Sequence, residues 1–133
     1  MTVTSSYCLE KRRLTNSKKK IRFEQNLNTL RKLKVNHLHL VNLLESYRRP
    51  DKLPNSHGNY YNKILDASEI NVTLKNELFD LEIGTISELH DSIRQYTYSK
   101  SAKVKSDITI DSLLQKSKIV TENIQKTIKN IDK

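Results

Sequence analysis

The sequence predicts an all-α fold: an elongated helical hairpin plus a C-terminal coiled-coil helix, preceded by a disordered basic N-terminal arm. Three observations predict it. The 133 residues include only two glycines, two prolines and no tryptophan. Sheet folds need a turn every several residues, and turns draw on Gly and Pro. Apolar residues recur at helical spacing in three separate stretches. Charge is concentrated at one end. At this length a single domain is the upper limit, and 35% hydrophobic residues against 29% charged is lean beside the about 45–50% apolar content of ordinary globular chains.

Residues 1–14 lack periodicity and read as an arm ordered only by a partner. The net charge is +9. Ten cations (Lys11, Arg12, Arg13, Lys18, Lys19, Lys20, Arg22, Arg31, Lys32, Lys34) face only Glu10 and Glu24 within residues 1–34, which leaves +8 there and +1 elsewhere. Such asymmetry implies a polyanion-binding or nuclear-import segment on an electrically balanced body. Each phosphate neutralised would release a counterion and make affinity fall with salt. No zinc-finger spacing, RNA-binding aromatic motif or helix-turn-helix signature is present, so any DNA contact is expected to be sequence-neutral.

Residues 15–47 form the first expected helix, starting at Thr15 or Asn16. Phe23, Leu27, Leu30, Leu33, Leu40, Leu44 and Tyr47 sum to whole helical turns. Leu38 to Leu44 is apolar around most of its circumference, as in a helix buried from more than one side. Residues 48–59 hold Pro50, Pro54 and Gly58 and read as a chain-reversing loop.

Residues 60–96 read as one long helix with two seams. Leu65, Val72, Phe79, Ile86 and Ile93 repeat every seven residues. Ile64, Ala67, Leu74, Leu78 and Leu81 form a second seam, interrupted by Asn71, roughly 120° away. Two seams require two neighbours. A β-hairpin over Ile70–Leu74 and Phe79–Ile83 competes, since both alternate, but no Gly or Pro turn separates them. Gly84 followed by Thr85-Ile86-Ser87-Glu88 resembles a capping box, where the helix can break and restart.

Residues 97–105 (TYSKSAKVK) read as a linker. A third helix over 106–133, capped at Ser106-Asp107, carries Ile110, Leu113, Ser117, Val120, Ile124, Thr127 and Ile131 at alternating threes and fours. Lys126, Lys129 and Lys133 suit its C-terminal dipole. Three heptads are marginal as a free helix, so partner helices are expected along Leu65, Val72, Phe79, Ile86 and Ile93, and along Ile110, Leu113, Val120, Ile124 and Ile131.

Catalytic chemistry is not expected. Cys8 is the single cysteine and lies in the arm without a positioned base. There is no CxxC, Gly-rich phosphate loop or GxSxG. His37 and His39, two residues apart, project to different sides of a helix and cannot share a metal. No cofactor and no small-molecule substrate are implied. No apolar run approaches the ~20 residues of a membrane span, and no secretory signal opens the chain, so the Asn71-Val72-Thr73 sequon is not expected to be used. The clustered Lys11-Arg12-Arg13 and Lys18-Lys19-Lys20 favour nuclear import over a mitochondrial presequence, which spreads its arginines. Arg12-Arg13-Leu14-Thr15 resembles a basophilic-kinase target. Tyr60 and Tyr61 read as helix-start staples, and Tyr96 and Tyr98 as the better stacking candidates.

In size and character the chain is similar to small accessory subunits of fungal chromatin-remodelling, transcription-coactivator and kinetochore assemblies. That resemblance implies a nuclear, non-catalytic subunit held by helix packing. The alternatives are an autonomous sequence-neutral nucleic-acid-binding protein such as an RNA or ribosome-assembly factor, a kinetochore coiled-coil subunit, and a homo-oligomeric coiled coil.

Overall fold

The computed structural model describes residues 2–48 and 57–131, with side chains described over 18–46, 61–100 and 102–131. It is all-helical, with α1 Thr2–Arg48, α2 His57–Asn76, α3 Gly84–Ala102 and α4 Ile110–Ile131. No strand occurs among the described residues, so the alternation over 70–83 does not make a hairpin of strands. The backbone of the expected arm, residues 1–14, is traced as the first turns of α1 from Thr2, and its side chains lie outside the described residues. The loop expected over 48–59 lies largely outside them too; within that span Arg48 ends α1 and His57 begins α2.

The helices form a ring of neighbours: α1 packs on α2 and α4, and α3 on α2 and α4. Cross-helix bonds give the directions. Asn36 reaches Asn71 while Asn26 reaches Phe79, so α1 and α2 are antiparallel. Ser68 meets His90 while Lys75 meets Ser87, and Lys116 meets Ser92 while Asn123 meets Thr85. The chain therefore runs up, down, up, down.

Burial follows the sequence period. On α1 the buried positions are Asn26, Leu30, Leu33, His37, Leu40 and Leu44, alternating fours and threes. On α4 they are Leu113, Ser117, Val120 and Ile124, continued by half-buried Thr127 and Ile131. With Ile64, Ala67, Ile83, Ile86, Leu89, Ile93 and Tyr96 these build one core. Each fully buried Leu or Ile contributes about 1.5–3 kcal/mol relative to exposure.

The single helix expected over 60–96 is instead two, separated at residues 77–83. The chain leaves α2 through turns closed by Glu77 N–H to Leu74 O (3.1 Å) and Leu78 N–H to Lys75 O (3.2 Å). Asp80 then takes a left-handed φ of 58°, which a short polar side chain tolerates better than most. The break lets α3 fold back, so that α2 and α3 bury their apolar faces on each other. Helix α3 restarts at Gly84, but the expected capping box does not form. Ile83 occupies the cap position with no side-chain bond, and the Thr85 hydroxyl accepts from Asn123 at 3.0 Å instead.

The linker expected over 97–105 is also revised: α3 continues to Ala102 and ends at Lys103 in a left-handed cap (φ 55°), its N–H donating to Ser99 O. Helix α4 starts at Ile110 rather than 106. Its cap is Thr109, whose hydroxyl accepts from Ser112 N–H while Ser112 Oγ accepts from Thr109 N–H, both at 3.1 Å. This is a reciprocal capping box. Ser106 serves a local turn, accepting from Ile108 N–H at 3.1 Å.

Candidate functional site

The interior carries one directional chain of polar groups. Asn36 Nδ2 donates to Asn71 Oδ1 (2.7 Å) and to Ala67 O (2.9 Å). Asn71 Nδ2 then meets His37 Nδ1 at 3.1 Å, and His37 Nε2 meets Ser117 O at 2.8 Å. A carbonyl only accepts, so His37 carries its proton on Nε2, leaving Nδ1 to accept from Asn71. Every donor and acceptor along the chain is thereby assigned, and α1, α2 and α4 are tied at one level. Burial pushes the His37 imidazole below its ordinary pKa, with the bond to Ser117 partly offsetting it. Protonation would place an N–H against the Asn71 amide donor. His90, held by Ser68 Oγ at 2.8 Å, is also lowered, first by burial and then by Arg94, against Glu69 and Asp91.

A second polar device fixes the 77–83 segment. Asn26 Nδ2 donates to Phe79 O, and Phe79 N–H donates to Asn26 Oδ1, both at 2.8 Å. One buried side-chain amide thus satisfies both backbone groups of a residue between helices. The Phe79 ring lies under the Arg22 guanidinium, 5.5 Å from its centroid.

The remaining distinctive surface is electrostatic. Lys18, Lys19, Lys20, Arg22, Arg31, Lys32 and Lys34 are all exposed on α1. Every residue from Lys18 to Gln25 is exposed, and the first buried position of α1 with a described side chain is Asn26. From Lys18 to Gln25 the helix thus runs about 12 Å without a buried side chain, at ~1.5 Å per residue. Lys11, Arg12 and Arg13, together with Cys8, lie outside the described side chains.

The residues expected to meet partner helices are placed differently from that expectation. Ile86, Ile93, Leu113, Val120 and Ile124 are buried in this chain's own core, and Leu65, Val72, Ile110 and Ile131 are half-buried against it. The second neighbour that the two seams demand is supplied internally, because the break at 77–83 converts one two-seamed helix into two adjacent ones. Phe79 is the exception, 41% exposed.

His37 is buried and His39 exposed on opposite sides of α1. Asn71 of the sequon is 1% exposed, its amide committed to the polar chain. Tyr96 is buried, edge-on to Tyr61 at 6.3 Å, with the Lys100 ammonium 5.6 Å from its ring. Tyr98 is exposed. Tyr47, His57 and Tyr60 lie outside the described side chains. Among the described residues no group of three metal-ligating side chains converges, and no helix is long and apolar enough to cross a membrane.

Sequence reasoning missed Asn26, His37 and Asn71 as core-forming groups. For Asn26 and His37 the signal was present: 26, 30, 33, 37, 40 and 44 keep an unbroken 4–3 spacing once polar residues are admitted.

No protein-family model, curated protein or solved structure matches this chain.

Proposed function

We propose that this chain is a non-catalytic helical subunit of a nuclear multiprotein assembly, in the class of chromatin-remodelling or transcription-associated complexes. In this reading the four-helix body is the folded anchor, and the basic stretch of α1 contacts DNA or an acidic partner. The observation that carries it is the run of exposed cations on a helix that continues beyond its own core. A helical stretch with four exposed cations, Lys18, Lys19, Lys20 and Arg22, against one acid, Glu24, suits a polyanionic or acidic surface. The 4–3 seams of α1 and α4 support coiled-coil-type interlocking, which resists shear when one end is held by a partner.

Affinity purification of the tagged full chain, read by mass spectrometry, tests this. The expected result is a reproducible set of nuclear subunits, diminished when Lys18, Lys19, Lys20 and Arg22 are all changed to Gln. A wild-type chain that purifies alone contradicts it.

A second reading, an autonomous sequence-neutral nucleic-acid-binding protein, is favoured by one feature. At ~100° per residue, Lys18, Lys19, Lys20 and Arg22 spread over about 200° of the helix circumference rather than forming one narrow face. Its expected result is salt-steep binding of the purified chain to duplexes of any sequence.

A further inference from the structure

Helix α1 has a second face. At ~100° per residue, Val35 lies about 160° from both Leu33 and His37 and so points directly away from the core. It is 70% exposed, Leu38 61% and Ile21 54%. Ile21, Asn28 and Val35 recur every seven residues and Leu38 follows three later, the spacing of a helix-pairing seam; the alternate seam positions before Leu38 are the exposed Glu24 and Arg31. Val35 and Leu38 are its two most exposed apolar residues.

The positions beside this seam decide what it can pair with. Flanking residues set partner choice in helix pairs through their charges. Here they include Lys20, Lys32 and Lys34, with Gln25 and His39, all exposed and none acidic. A second copy would set the seven cations and the single acid, Glu24, of residues 18–39 against the same set, so repulsion outweighs any pairing of Glu24 with Arg31. A nucleic-acid backbone would leave the exposed Val35 and Leu38 without apolar contact.

We propose that the outer face of α1, centred on Val35 and Leu38 and flanked by Lys32 and Lys34, docks an amphipathic helix of a partner protein whose seam is apolar and whose flanking positions are acidic. The inference rests on the assembly-subunit reading and specifies its contact. The partner helix covers Val35 and Leu38 and places carboxylates against the flanking lysines, which also neutralises part of the charge that isolates α1.

Fluorescence anisotropy with the full chain tests it. The probe is a labelled four-heptad peptide with Leu at the seam positions and Glu at the flanks; its counterpart carries Lys at the flanks, and a 20-bp DNA duplex is the third ligand. The expected result is at least tenfold tighter binding of the Glu peptide than of the Lys peptide, weakening with added salt. Val35→Ser combined with Leu38→Ser should weaken the Glu peptide at least tenfold and leave the thermal midpoint unchanged, because both residues are exposed. Equal binding by the serine variant overturns the proposal. So does a duplex that displaces the peptide while both ligands ignore the serine pair, which would make the face a polyanion surface. A wild-type dimer that the serine pair dissolves also overturns it, by naming a second copy as occupant. If the serine pair fails to alter peptide binding while nuclear subunits still co-purify with the chain, only this inference falls. If peptide binding behaves as expected but the chain purifies alone, the assembly reading falls instead.

Discussion

Replacing Asn71 with alanine removes the central link of the buried polar chain. Two groups lose a partner. His37 Nδ1, inside the core, is left as an acceptor without a donor, costing about 1–3 kcal/mol. Asn36 Nδ2 loses Asn71 Oδ1 but keeps Ala67 O at 2.9 Å and is half-exposed, so water replaces the loss at about 0.5 kcal/mol or less. Loss of the packed amide adds to this, since the site is 1% exposed and the surrounding helices relax only in part. The expected destabilisation is about 2–4 kcal/mol, a fall in thermal midpoint on the order of 10 °C for a chain of this size. Urea unfolding followed by helical circular dichroism measures it, with the m-value unchanged. Asn36→Ala should cost less than Asn71→Ala, because Asn36 is half-exposed and water can replace its bonds to Asn71 and Ala67. A loss under about 0.5 kcal/mol for Asn71→Ala would contradict a buried His37 left without its donor.

Stability should depend on pH through the same chain. His37 and His90 are both lowered from the ordinary 6.5, so the unfolded state binds more protons than the folded one. Stability is then fully present above 6.5 and is lost as pH falls below it, by at most about 1.4 kcal/mol per pH unit for His37 and by less for the more exposed His90, whose interactions water screens. Urea midpoints between pH 8 and pH 5 check this, and a flat profile contradicts it. Ile124→Asp puts a carboxylate into a site 1% exposed. It should unfold the isolated chain, or destabilise it by more than about 4 kcal/mol, whereas a purely partner-facing residue would leave the melting curve intact. Asn26→Ala removes both bonds to Phe79 and should cost about 1–3 kcal/mol, with hydrogen exchange rising at residues 77–83 before the rest of the molecule. Thr109→Ala should cost about 1 kcal/mol, read from the same urea curves.

Much of the core is legible in the sequence where apolar residues keep helical spacing. Leu30, Leu33, Leu40 and Leu44 on α1 mark their buried face directly, as do Leu113, Val120 and Ile124 on α4. Two things are not legible locally. The first is the break at 77–83: Phe79 and Leu81 continue both candidate seams, and what stabilises the non-helical backbone there is a side chain from α1 more than fifty positions away, Asn26. The second is whose helix fills a seam. Periodicity establishes that Leu113 to Ile131 needs a neighbour, but α1 of the same chain and a helix of another protein satisfy that need with the same side chains. His37 and Asn71 mislead for a related reason, since a polar residue in a seam looks like an interruption until its partners on other helices are known. The basic surface is the reverse case. Lys18, Lys19, Lys20, Arg22, Arg31, Lys32 and Lys34 are visible as charge in the sequence and stay exposed in the fold, whereas the Val35–Leu38 face stands out only once the inner face is known to be occupied.

The seams close within one chain, so that the outer face and the basic stretch of α1 are what remain for a partner. Sedimentation equilibrium of the purified full chain tests that most directly. The predicted result is a single folded species at the monomer mass of 15.5 kDa across a hundredfold range of concentration. A concentration-dependent oligomer that Leu113, Val120 or Ile124 substitutions dissociate into folded monomers would contradict it.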